Sequence, residues 1–455
     1  MMNNTVSRIV ALLAPLGAMT APAHAGTLSV TDIFSQFNAV VFDNFSTTSD
    51  VEGRTVVGGN LIGGASFDIN PASAVASSFS GLTVYGSATK SGNYNINNGG
   101  GVTIAGSNTT SFNLNGGGSA YVGGANSGNL SQANGPVTIG GANSGTLQIA
   151  RGGSVFVGAA NSGGISASSS ASVAINGSNS ATLNMNGGGS VAVNGNNSGT
   201  VSLNGGTFTY TGSQTGNLNL NGGAKAIKAA SLTLTAPAST LPSFASTFQS
   251  PLTALSTRLD ALTANSIATS SNNAVTFNAK PNAAGTAVFD IGSSVLAPNS
   301  TVRINPDGAT SVIINVVVDG CVSSTCVFSL PNSLNFANPT GYASSVLWNF
   351  VNATGLSFAG EIGGSILAPL AAVTNSDAID GTLVAASYAG NGELHSHPYT
   401  GTLPDGTTTP LVTPFFAGPA NSFTVPEPGS LMLLAFGFAA LGAARGRTFA
   451  FGRPR

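Results

Sequence analysis

Titratable side chains are scarce enough in this chain that those standing close together can be weighed one cluster at a time. Glu393, His395 and His397 form a Glu-x-His-x-His pattern. On a strand, alternate residues share a face, so two imidazoles and a carboxylate would converge, and that donor set can hold zinc. The trio stands beside Pro398 in a stretch that reads as loop, where the same groups would serve as internal hydrogen-bond partners, and this second reading is preferred. Near the other end, Asp50, Glu52 and Arg54 recur at alternate positions. An Asp–Arg pair here would tie the first turn to the closing block, where Glu361, Asp377 and Asp380 would join them if the two ends approach. Several carboxylates with backbone carbonyls suit Ca²⁺, but the twelve-residue calcium loop is missing. Neither zinc nor calcium is therefore assigned, and no catalytic or cofactor-binding residue is named. The run Asn115-Gly116-Gly117-Gly118 lacks the lysine, hydroxyl and following helix of a phosphate-binding loop, and reads as a corner where positive φ is cheap.

Composition explains the scarcity. Of 455 residues, 6% are charged, 42% are hydrophobic and 61 are glycine. Disordered chains are poor in apolar residues as well as rich in charge, so this one buries something. Thirteen basic residues, four of them within the last eleven positions, cannot neutralise a run of phosphates, and nucleic acid is excluded as a partner.

The front of the chain carries an address. Arg8 precedes an apolar run over residues 9–19, and the stretch closes on Ala23-His24-Ala25. Such a pattern is a secretory signal peptide over residues 1–25, cut by signal peptidase between Ala25 and Gly26. The run is too short to cross a hydrocarbon core, which needs roughly 20 residues. Export places Cys321 and Cys326, the two cysteines, where a disulfide persists, and one short loop-closing bond is expected. A metal pair is the competing reading, but it has no nearby histidine.

The back carries another. Pro426, Glu427 and Pro428 precede a short hydrophobic segment over residues 431–444, and Arg445 and Arg447 follow at once. The tail, residues 420–455, resembles the PEP-CTERM sorting signal. That resemblance implies an exosortase-like membrane enzyme of Gram-negative, exopolysaccharide-making bacteria as a partner. It also implies a precursor transiently inserted in the inner membrane through a transmembrane helix in the tail. Without both addresses, 8 basic residues face as many as 15 acidic ones. The mature body is acidic, near −7, and is not drawn to anionic lipid.

Between the addresses runs a repeat. One apolar column reads Ile104, Val122, Ile139, Val157, Ile175, Val193, Tyr210, and a second reads Leu114, Leu130, Leu147, Ile165, Leu183, Val201, Leu218. A third column holds Asn126, Asn143, Asn161, Asn179 and Asn197, all keeping a period near eighteen. Eighteen residues are too few for a β-α-β unit, and the fragments alternate like strands with Gly or Asn-Ser-Gly corners. The fold class expected is all-β: a parallel β-solenoid of about 18 residues per turn, with repeats over 91–224, apolar columns as interior ladders and the asparagines as a corner ladder. Alternation turns Phe156 outward and Val157 inward. A single charge in this region, Arg151, leaves nothing for a lyase or glycosidase groove.

Over residues 243–264 the period changes to 3.6: Phe244, Phe248, Leu252, Leu255, Leu259 and Leu262 form one stripe. One long α-helix is expected, packed along the solenoid's side, followed by closing strands over 271–419. The opening block FNAVVFDNFSTTSDVEGRTVVGGN and the closing blocks LWNF, GGSILAP, DGTLVAAS and GNGELHSHPYTGTLP resemble the two ends of the bacterial choice-of-anchor A surface module, over about residues 28–411. The stretch GSILAP through GTLVAAS also resembles the end of bacterial ice-binding β-solenoids, whose coil is braced by a long helix. Neither resemblance supplies a catalytic assignment.

The function expected is that of a noncatalytic exported cell-surface or extracellular-matrix structural protein, sorted through its C-terminus and associated with exopolysaccharide. The alternative is a glycan-binding or ice-binding surface module. Ice binding calls for a regular Thr-rich face, whereas the residues flanking the first ladder change from Thr103 to Tyr121, Thr138, Phe156, Ala174 and Ala192.

Overall fold

The computed structural model describes residues 27–410 apart from 72–73, 90–91, 169–170, 238–240, 297–300, 322–324 and 405–408. Ala25, Gly26, Pro426, Glu427, Pro428, Arg445 and Arg447 lie outside the described residues. Among the described residues no helix is long and apolar enough to cross a membrane, which corrects the expectation of a transmembrane helix. The short tail segment on which it rested, residues 431–444, is also outside them.

The repeat folds into stacked parallel coils. Ile104, Val122, Ile139, Val157, Ile175, Val193 and Tyr210 occupy one register row on successive strands. From Ile104 to Val193 every member of this row is buried. The second row departs from expectation at its first member: Leu130 pairs with Phe112, and Leu114 pairs with Gln132. Both Phe112 and Leu114 point inward, so spacing alone leaves a choice of two registers, and coil length settles it. Corners rely on glycine at chosen points. Gly206 has φ +81, and a Cβ there would collide with the carbonyl oxygen of Gly189 on the neighbouring coil.

The asparagine column is an amide ladder. Each Nδ2 donates to the next Oδ1: Asn108 to Asn126, Asn126 to Asn143, Asn143 to Asn161, Asn161 to Asn179 and Asn179 to Asn197, at 2.6–2.8 Å. Asn197 then donates to Oε1 of Gln214. All these asparagines are buried, so every amide N–H removed from water is repaid by a partner.

The chain begins in the middle of its own stack. The strand Ala39–Val41 pairs in parallel with Thr55–Val57 on one side and with Leu383–Gly390 on the other. From Thr55–Val57 the coils climb to Lys225–Lys228; below Leu383–Gly390 they descend through Ser365–Asn375, Val346–Phe350 and Ser311–Val317 to Thr286–Gly292. The two halves are therefore one continuous solenoid, joined by parallel pairing between the first coil and the last.

A π-turn, Ala245–Gln249, leads into the bracing helix Ser250–Asp260, with Pro251 in its first turn where no amide donor is needed. Phe248, Leu252, Leu255 and Leu259 are buried against the outward side of the longer sheet, on Val288, Ile313, Leu347 and Leu367. Each such side chain contributes roughly 1.5–3 kcal/mol on burial. Polar contacts fix the helix's register: Asn349 Nδ2 donates to the Ser256 carbonyl, and Asn315 Nδ2 donates to that of Leu259, at 2.9 and 2.8 Å. The short helix Val30–Gln36 shares this layer through Ile33 and Phe34, and Phe37, Phe79 and Phe248 meet edge to face.

Candidate functional site

The polar residues of the two terminal blocks meet at the join between the halves. Asn38, buried at the start of the first coil, donates through Nδ2 to the carbonyls of Gly381 and His395, at 2.8 and 2.9 Å, and accepts from the Gly53 amide. Glu52 Oε2 accepts from the Ser396 amide at 2.7 Å, and the Leu394 amide donates to the carbonyl of Asp50. Thr382 donates to the Phe37 carbonyl at 2.7 Å. The opening and closing blocks thus clasp each other. Asn38 and Thr382 escaped notice in the sequence, since a single uncharged residue carries no spacing signal.

His395 is the centre of the clasp. Its Nδ1 lies 2.6 Å from Asp380 Oδ1 and its Nε2 lies 3.0 Å from Glu393 Oε2, so both ring nitrogens are engaged by carboxylates. The hydrogen bond to Asp380 is the largest cause raising its pKa, opposed by burial and supported by Glu393 and the charge of Glu52, and the value reaches about 9. Burial first, and then a hydrogen bond and charge repulsion from Asp380, raise Glu361 above the ordinary carboxylate range. His397 is not part of this set, and among the described residues no three His, Cys, Asp or Glu side chains converge as metal ligands. An imidazole already spanning two carboxylates is built to hold loops together.

Other expectations are redistributed. Arg54 faces Asp68 and donates to the Gln36 carbonyl, in place of a pair with Asp50. Asp50 accepts from the Ser66 amide, and Asp377 from the Ala378 amide, so both carboxylates serve local turns. Cys321 and Cys326 form a disulfide.

Two outward sheet faces remain. On the face that carries the bracing helix, Thr103, Thr138, Phe156, Ala174 and Ala192 point away from the coil interior yet are buried, Phe156 being 1% exposed. The chain leaves the top coils beside Tyr210, through the Ala229 amide, and re-enters at Phe244, packed on Phe42 and Tyr85. The irregularity of these side chains consequently says nothing about a ligand face. The opposite sheet is open. Its outward row runs in register from Asn95 through Asn113, Ser131, Gln148, Ser166 and Asn184 to Ser202 and Asn219. Every member is half-buried or exposed, and none is charged or aromatic. Neighbouring side chains bond along the row: Asn113 Nδ2 donates to Asn95 Oδ1, and Asn219 Nδ2 donates to the Ser202 hydroxyl. The same alternation that located the inward columns marks these residues.

A family model described as "Putative Ice-binding-like adhesive domain" matches residues 30–127 and 119–396, most of the chain and nearly all of its solenoid. The chain belongs to this family. Beyond the adhesive domain, a PEP-CTERM protein-sorting motif matches residues 424–447, which implies export to the cell surface and processing by an exosortase-type enzyme. No curated protein matches the chain. Among solved structures, the tapirin C-terminal domain of Caldicellulosiruptor kristjanssonii is similar at 11% identity and a TM-score of 0.21, over 81% of this chain and 94% of that one. Membership in the adhesive-domain family fits a chain whose open sheet presents an uncharged row and whose clustered titratable residues, His395, Asp380 and Glu393, hold its two ends together. The protein is a noncatalytic, exported surface domain.

Proposed function

We propose that this protein is a binding module, an adhesion domain displayed at the cell surface or in the extracellular matrix. The observation that carries the reading is the family match over residues 30–396 followed directly by the sorting motif at 424–447. A purely structural rod would need no ordered open face, so the binding alternative takes precedence over the structural reading. Export begins with signal peptidase cleavage between Ala25 and Gly26, and the tail bearing Pro426, Glu427, Pro428, Arg445 and Arg447 is removed during sorting. The two chain ends resemble choice-of-anchor A modules, and the setting is the exopolysaccharide of a Gram-negative envelope, with polysaccharide as the adhesive target.

The test uses cells expressing the full chain. Antibody should label intact cells, mass spectrometry should find Gly26 as the first residue and no peptide from residues 445–455, and the cells should adhere to polysaccharide-coated surfaces better than cells lacking the chain. Equal adhesion overturns the binding reading, and an intact C-terminus on surface material overturns the sorting one.

A further inference from the structure

Resting on that adhesion reading, we infer that the open sheet's polar row, from Asn95 to Asn219, is the adhesive face and that its ligand is a neutral polysaccharide. Three observations support the choice. The row is straight and in register over eight coils, so it presents amide and hydroxyl groups every 4.8 Å or so along about 34 Å. A repeating polymer of hydroxylated rings, lying along the stack, meets the same donors and acceptors at each step. Along the other broad face of the repeat, Thr103, Thr138, Phe156, Ala174 and Ala192 are buried and Tyr121 is half-buried, which leaves this face as the more open one for an extended ligand.

Charge and side-chain type then select among occupants. Arg151 is the only charged residue between positions 91 and 224 and is not part of the row, so an acidic polymer finds one cation along the whole repeat and meets a net acidic body. A neutral polymer loses nothing by that scarcity. Protein interfaces are built around aromatic and aliphatic anchors, and the outward row contains none, which argues against a second copy or a protein partner. Neutral sugars exchange hydrogen bonds with water for hydrogen bonds with amides and hydroxyls, many weak contacts giving avidity along a chain.

The experiment is a pull-down of the mature chain on insoluble neutral glucan, mannan and galactan, with cross-linked alginate as the acidic comparison. Retention on at least one neutral polymer, with less on alginate, is expected. Ser166→Asp and Ser202→Asp place carboxylates on the row, and each should weaken retention about tenfold by desolvating a charge against neutral hydroxyls. Ser180→Asp, at an exposed corner off the face, should bind as the parent does, and circular dichroism with thermal melting should show all three variants folded. If the row variants bind as well as the parent, the face assignment falls while adhesion stands. Retention by none of the neutral polymers, preferential retention on alginate, incorporation into growing ice without binding to glycan, or a dimer abolished by Ser166→Asp each overturns the neutral-polysaccharide ligand.

Discussion

Asn38 and His395, 357 residues apart in sequence, are joined by a 2.9 Å hydrogen bond from the Asn38 side-chain amide to the His395 carbonyl. The imidazole of the same histidine spans Asp380 and Glu393. One of the residues that join the two ends is thus an imidazole held in its charged form well past neutral pH, to about pH 9.

The first prediction concerns pH. The value of His395 in the folded chain, about 9, lies above its ordinary 6.5, so its stabilisation is complete below about pH 6.5 and is lost as pH rises through 9. The raised Glu361 acts in the same sense at lower pH. With the imidazole 29% exposed, screening reduces the effect to about 1–2 kcal/mol. Denaturant unfolding between pH 6 and 10 should show this decline in the parent and a flatter profile in His395→Gln; parallel profiles would disprove the clasp's titration.

Substitution inside the coil should be severe. Val157 is fully buried in the inward row, and Val157→Asp should cost several kcal/mol by placing an unpaired carboxylate there. Alternation alone would make Phe156→Asp mild. Phe156 is 1% exposed, so its replacement should also cost about 3 kcal/mol or more. Chemical denaturation of both variants checks this, and a near-neutral Phe156→Asp would show that its side chain is not covered.

The amide ladder gives a third test. Asn161 donates to Asn179 and to the Gly163 carbonyl and accepts from Asn143. Asn161→Ala orphans groups on both neighbours and should cost about 2–4 kcal/mol, with Asn161→Asp worse because it cannot donate. Hydrogen exchange should accelerate first in the coils holding Asn143 and Asn179. Uniform acceleration along the stack would indicate that the ladder does not act locally.

The disulfide should matter less. Cys321 and Cys326 are five residues apart, and closing so short a loop stabilises by about 2 kcal/mol. Paired serine replacement should lower stability by no more than that, and thiol labelling without reductant should modify neither cysteine. Two labelled cysteines in exported protein would remove the bond.

Much of this architecture is written locally. Coil length, inward columns and the amide ladder follow from a period near eighteen, because a parallel coil places residue i beside the residue one turn on, and side-chain type at that spacing is visible in one dimension. The helical stripe from Phe244 to Leu262 is legible for the same reason, although the α-helix proper is the shorter Ser250–Asp260, extended by a π-turn. Only the tertiary structure decides which outward face is covered. Phe156 and Ser166 both stand at outward positions of their strands, yet Phe156 is buried and Ser166 is exposed. Nor does local pattern place Ala39–Val41 beside Leu383–Gly390, set Leu130 against Phe112, or turn Arg54 toward Asp68. Those relationships arise when segments distant in sequence compete to bury the same surface and satisfy the same backbone groups, and periodicity within a segment carries no information about that competition.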